Sequence, residues 1–177
     1  DINTNPKNPI IGNRSFGESK INVSNKGISF TRGIQSKNIL ATAKHFPGHG
    51  DTSKDSHLTL PTIDFDKKRI YDVELYPFKQ LIDNGLAAIM IAHLNIPSME
   101  KADMLPSTLS KNIIENTLIK KLNFKGLIIT DALEMKGVSD YSKKNIDLMA
   151  FLAGNDILLM SSDISKGIKS TKKAYKK

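Results

Sequence analysis

The chain has no cysteine, so it holds neither a disulfide framework nor a thiol nucleophile, and its redox compartment is left open. It has no apolar run of about 18 residues, which excludes a transmembrane helix. No secretory leader is visible at its start, which decides nothing if the sequence is a piece of a longer one. Aromatic residues make up only 6%, too few to build stacking platforms for nucleic-acid bases. No acid follows Asp163, and no G-x-G-x-x-G occurs, so the Gly-rich phosphate turn of a doubly wound sheet is missing.

What remains is an ordinary globular balance. The 177 residues suffice for one sizeable domain, and the 39% hydrophobic content reaches the globular range once glycine is added. The net charge of +8 comes largely from the C-terminal end, where Lys166, Lys169, Lys172, Lys173, Lys176 and Lys177 are spaced among Ile164, Ile168 and Tyr175. That spacing describes the solvated face of an amphipathic helix and argues against a nucleic-acid partner.

Three of the four histidines and two aspartates lie in one stretch, Lys44 to Pro61, K-H-F-P-G-H-G-D-T-S-K-D-S-H-L-T-L-P. The apolar Ile39–Ala43 reads as a buried strand feeding it, and Gly48 and Gly50 allow turns where a side chain would clash. A Gly-rich loop of titratable groups at a strand end is where catalytic loops sit. Two chemistries compete for it. His45, His49, Asp55 and His57 are possible metal ligands, since imidazole and carboxylate suit zinc or iron. Yet His45 and His49 would be neighbours only on a helix, which Pro47-Gly48 forbids. In the other chemistry, an aspartate orients a histidine for acid/base work, and Asp55 and His57 have the i, i+2 spacing that faces them the same way on an extended segment.

The string K-H-F-P-G-H-G, followed by D-S-H and then Pro61, resembles the signature of glycoside hydrolase family 3, and more narrowly its β-N-acetylglucosaminidase branch. The resemblance implies a retaining exo-β-N-acetylglucosaminidase acting on peptidoglycan fragments or chitin-type oligosaccharides. Asp55 and His57 would form the general acid/base pair. Lys44 and His45, at a strand end, would hold sugar hydroxyls. Asp131, in I-I-T-D-A-L-x-M-x-G-V, would be the nucleophile, although a carboxylate at that position also reads as a helix N-cap. Arg14, in R-S-F-G, would bind the sugar. No cofactor and no metal are implied, and the expected partner is a carbohydrate. A family 3 β-glucosidase and a metal-dependent hydrolase are the competing readings.

The rest of the chain alternates helix and strand. Helices are expected over Val23–Gln35, through Ile70–Ile82 with a break at Pro77 and a stop at Gly85, over Lys111–Leu122 with Ser110 as N-cap, over Asn145–Ala153, and from Asp163 onward. Strands are expected at Ile39–Ala43, Ala87–Ala92, Leu127–Thr130 and Ile157–Met160. His93 ends the second of these and reads equally as a satisfied core histidine or a substrate contact. Lys44, His45, His93 and Asp131 all fall at strand C-terminal ends, the catalytic face of a (β/α)8 barrel. Four strand-helix units are about half of such a barrel, which needs about 250 residues. The resemblance places residues 1–177 as a truncated catalytic barrel domain of the family's N-terminal type, from the third strand's loop to the seventh helix. An unclosed half-barrel exposes two apolar edges, so instability of the isolated piece is expected.

Overall fold

The computed structural model describes residues 1–53, 59–141 and 145–176. Three parallel strands form its sheet in the order β1 (Thr42–Phe46), β2 (Ala88–Ile91) and β3 (Leu127–Thr130). Ala88, Ile89 and Ile91 of the central strand are buried, as a strand covered on both faces requires. The register runs Thr42 to Ala88 and Ala88 to Leu127, so all three C-terminal ends point the same way.

Helices cover the sheet. In α1 (Lys20–Gln35), Val23, Gly27 and Thr31 recur every four residues on the buried face. A Cβ on Gly27 would meet Leu81 of α3 (Tyr76–Asp83) at 3.4 Å, an ordinary van der Waals contact, so α1 and α3 pack against each other here. Between α2 (Lys67–Arg69) and α3 lies a turn of wide π-helix, Ile70–Glu74, closed by the bond from Leu75 N to Ile70 O (2.9 Å). The expected break at Pro77 is therefore real, with proline in the first turn of α3. A second π-helix spans Asn112–Lys121, and Ser110 Oγ accepts from Ile113 N (3.1 Å), the expected cap contact. Short helix α4 (Lys136–Ser139), α5 (Ile146–Ala153) and α6 (Ile164–Tyr175) follow β3.

Two expectations, both on strands, need correction. The first strand begins at Thr42 rather than Ile39; Ile39 and Leu40 are each 61% exposed, before the sheet is reached. The fourth strand is reduced to one parallel bridge, Ile129 to Ile157. Its next amide, Leu159 N, bonds the side-chain oxygen of Thr130 (2.8 Å) instead of a strand carbonyl, which ends the ladder. The basic helix α6 buries only Gly167, which packs on Asp147, while Ile164, Ile168 and Tyr175 remain exposed. Its apolar side thus has no cover among the described residues.

Candidate active site

The ends of the three strands bring together His45, His93 and Asp131. Asp131 is held by its backbone, N donating to Ile91 O (2.9 Å), and by Oδ1 accepting from Ala132 N (2.9 Å). The helix-cap alternative does not apply, because the next helix, α4, starts only at Lys136. The second carboxylate oxygen, Oδ2, stands 4.0 Å from His45 Nε2, with the Asp131 side chain 19% exposed. A partly accessible carboxylate at a strand end, with one oxygen fixed and the other without a hydrogen bond among the described residues, can act on a bound group.

β1 carries a bulge between Ala43 and Phe46, one residue more than β2 opposite it. The Lys44-His45 and Phe46-Pro47 peptide bonds are both cis. Lys44 emerges exposed while His45 is buried. Beneath His45 lies a residue that the sequence reading did not single out, Asp1. Its Oδ2 is 2.7 Å from His45 Nδ1, and its Oδ1 accepts from His49 N (2.7 Å). The His45 amide lies 3.1 Å from both oxygens. No local spacing announces this pairing, since it joins two loops far apart in the chain.

The loop after β1 is fastened from several sides. Asn8 Nδ2 donates to His49 O (2.7 Å), and Thr52 Oγ1 sits 2.8 Å from His49 Nδ1. A Cβ on Gly50 would fall 1.6 Å from Ile2 O, and one on Gly48 (φ +139°) 2.8 Å from Glu74 Cβ. Both glycines are thus required, as the sequence suggests. Arg69 reaches up from α2, its Nη2 3.1 Å from Asp51 Oδ2 and 3.0 Å from Glu74 Oε1. Neither oxygen of the buried Glu74 carboxylate makes a well-directed hydrogen bond. On the far side, Ile63 N donates to Asn95 O and Asn95 N to Pro61 O (2.9 Å each). Asp55 and His57 lie between these anchors, outside the described residues.

His93 is fully buried, with Nδ1 2.6 Å from Thr108 Oγ1 and Nε2 2.9 Å from Ala132 O. Both ring nitrogens have protein partners. Arg14 and Lys44 line a cavity of about 310 Å³ between α1 and β1, together with Phe16, Phe30 and Leu81. Asp131, His45 and His93 are not among its walls, so the cavity lies beside the strand-end cluster. Among the described residues, no three His, Asp or Glu side chains converge as metal ligands.

Burial dominates the electrostatics. It pulls the His45 imidazole down to about 3; Asp131 opposes the fall, and Lys44 and Arg14 add to it. His93 is likewise lowered by burial. Glu74 is raised by burial, against the pull of Arg69. Both histidines are therefore neutral near pH 7.

The sequence profile of the glycosyl hydrolase family 3 N-terminal domain matches residues 1–177. The chain belongs to glycosyl hydrolase family 3. Its parallel sheet and helices are those of the TIM-barrel-like α/β fold of family 3 N-terminal domains. β-Hexosaminidase A of Pseudoalteromonas piscicida is 36% identical over 171 residues, which cover 90% of this chain and 29% of that protein. A β-hexosaminidase of Haemophilus influenzae (strain PittEE) is 39% identical over 160 residues, 86% of this chain and 43% of its own. The solved family 3 β-N-acetylglucosaminidase from Paenibacillus sp. str. FPU-7 superposes with a TM-score of 0.90 at 40% identity, over 97% of this chain and 33% of that one. The chain thus spans less than half the length of these relatives.

Proposed function

We propose that the chain is the middle and later part of a (β/α)8 barrel, about four strand-helix units, and forms the catalytic core of a retaining exo-β-N-acetylglucosaminidase. Residues 1–177 are then one portion of a larger catalytic domain. The observation that carries the reading is Asp131, partly accessible at the end of β3 with Oδ2 facing His45 at 4.0 Å. The names of the relatives support N-acetylglucosamine as the sugar. Terminal N-acetylglucosamine of peptidoglycan fragments or chitin-type oligosaccharides is the proposed substrate.

In the mechanism, the Asp131 carboxylate attacks the anomeric carbon as the glycosidic C–O bond breaks, and His57, as imidazolium, gives its proton to the departing oxygen. The oxocarbenium-like charge that develops is stabilised by the same carboxylate. Water then attacks the glycosyl-enzyme, His57 takes its proton, and Asp131 is released. Asp55 orients His57. Lys44, Arg14 and His45 hold the sugar. His93, engaged on both nitrogens, supports the Asp131 turn from behind, and a direct sugar contact would cost it one of these bonds.

The test uses the whole natural protein and a pair of aryl substrates. The aryl β-N-acetylglucosaminide should be cleaved much faster than the matching β-glucoside, with chelator making no difference. Equal rates point to a β-glucosidase, and loss of activity in chelator points to a metal-dependent hydrolase.

A further inference from the structure

The proton on His45 can be placed from its neighbours. An ionised carboxylate only accepts hydrogen bonds. Asp1 receives the His49 amide at 2.7 Å and the His45 amide at 3.1 Å, donors that favour its charged form. Its remaining close neighbour among the described residues is His45 Nδ1 at 2.7 Å, which must then carry hydrogen. The neutral ring is left with a bare lone pair on Nε2, the nitrogen that faces Asp131 Oδ2. Two acceptors do not bond, and their 4.0 Å separation is the spacing of groups without a shared proton.

We infer that Asp1 is a positioning residue that locks His45 as the Nδ1–H tautomer, so that Nε2 accepts a hydrogen bond from a sugar hydroxyl and leaves the Asp131 carboxylate unencumbered. The sugar contact rests on the glycosidase reading; the tautomer does not. Recognition at this corner is polarised. Lys44 can only donate, and His45 can only accept. The hydroxyl that meets His45 must therefore be a donor. The opposite tautomer would put an N–H against Asp131, where a small shift would make it a hydrogen bond and occupy the lone pair that attacks the sugar.

Asp1→Asn tests this with almost no change of shape. The amide oxygen can keep the His49 amide while its NH2 turns toward Nδ1, which inverts the ring. In the whole natural protein labelled with ¹⁵N-histidine, long-range ¹H–¹⁵N spectra should show His45 as Nδ1–H in the wild type and Nε2–H in Asp1→Asn. Turnover of an aryl β-N-acetylglucosaminide should fall about 10–100-fold in Asp1→Asn, the range for the one hydrogen bond that an Nε2–H would make to the charged Asp131 carboxylate. Among substrates altered at single ring hydroxyls, one position should respond equally to removal and to replacement by fluorine, which cannot donate. That penalty should vanish in Asp1→Asn. An Nε2–H ring in the wild type overturns the assignment whatever the protein turns over, and so does an Asp1→Asn ring that stays Nδ1–H. A wild type with the expected tautomer that cleaves no aryl glycoside sinks the glycosidase reading and the sugar contact with it, while the role of Asp1 stands.

Discussion

His93 Nε2 lies 2.9 Å from the carbonyl oxygen of Ala132, the residue directly after Asp131. Its Nδ1 lies 2.6 Å from Thr108 Oγ1, which is also 2.6 Å from Ala92 O. A hydroxyl has one proton. With His93 neutral and Nε2–H committed to Ala132, the Thr108 proton goes to Nδ1, and Ala92 O takes the Ser107 hydroxyl instead, also at 2.6 Å. One imidazole thus ties the end of β2 to the turn that aims Asp131. His93→Ala should lower unfolding stability by about 2–4 kcal/mol, from lost packing and stranded polar groups, and should lower kcat. Denaturant melts and steady-state kinetics check this. A raised KM with unchanged stability would instead make His93 a sugar contact.

The catalytic roles proposed for Asp131 and His57 separate by leaving group. Asp131→Ala should abolish turnover of every substrate, because no glycosyl-enzyme can form. His57→Ala should slow sugar leaving groups by about 10²–10⁴-fold. An activated phenol should still leave in a burst, followed by slow turnover that azide accelerates. Equal losses for good and poor leaving groups, with no azide effect, would remove His57 from the acid/base role.

Arg69 pairs with two carboxylates at once, Asp51 in the loop and Glu74 beneath it. Arg69→Ala leaves Glu74 buried without a counter-charge and should cost about 3 kcal/mol. Adding Glu74→Gln should recover much of that loss. If the double variant is no more stable than Arg69→Ala alone, the pair is not coupled in this way.

Stability should follow pH in a defined direction. His45 and His93 are lowered in the folded state, so between about 3, where His45 titrates when folded, and the ordinary histidine value of 6.5 the unfolded chain binds more protons. Stability is then complete above 6.5 and falls as pH drops through this window, by up to about 1.4 kcal/mol per pH unit for each such histidine. Glu74, raised in the folded state, acts in the opposite sense: its contribution is complete below 4.5 and is lost as pH climbs through its higher folded value. Equilibrium unfolding of the wild type and His45→Gln at several pH values should show a shallower acid limb in the variant.

Two glycines should behave oppositely. Gly50→Ala places its Cβ against the Ile2 carbonyl and should disrupt the site outright. Gly33 lies exposed within α1 with nothing within 4 Å of its added Cβ. Gly33→Ala should stabilise the protein by about 0.5–1 kcal/mol, read as a rise in the thermal midpoint.

Much of this architecture was legible because it is local. The apolar runs at Ala88–Ile91 and Leu127–Thr130, the break at Pro77 and the cap at Ser110 depend on neighbours a few residues away. The first strand was misplaced because Ile39 and Leu40 carry the apolar signal while the ladder is formed by Thr42–Phe46, lysine and histidine included. The π-helices are hidden because a period of 3.6 fits their sequences as well. Asp131 and His45 could be found from the family resemblance, but Asp1, Arg69 and Glu74 act through contacts that no spacing encodes.

The bonds from Asp1 to residues 45 and 49 span sequence separations of 44 and 48. Helices form in about a microsecond, whereas contacts this far apart wait for long loops to close. During refolding, helices can exist while His45 still turns freely between tautomers, and the β1–β2 pair, Thr42 to Ala88, closes a loop as long as the one Asp1 closes. Helical content alone therefore does not report that this corner has formed. The corner at the end of the first strand is complete only when Asp1 meets His45 and His49, a tertiary event that secondary-structure probes do not see.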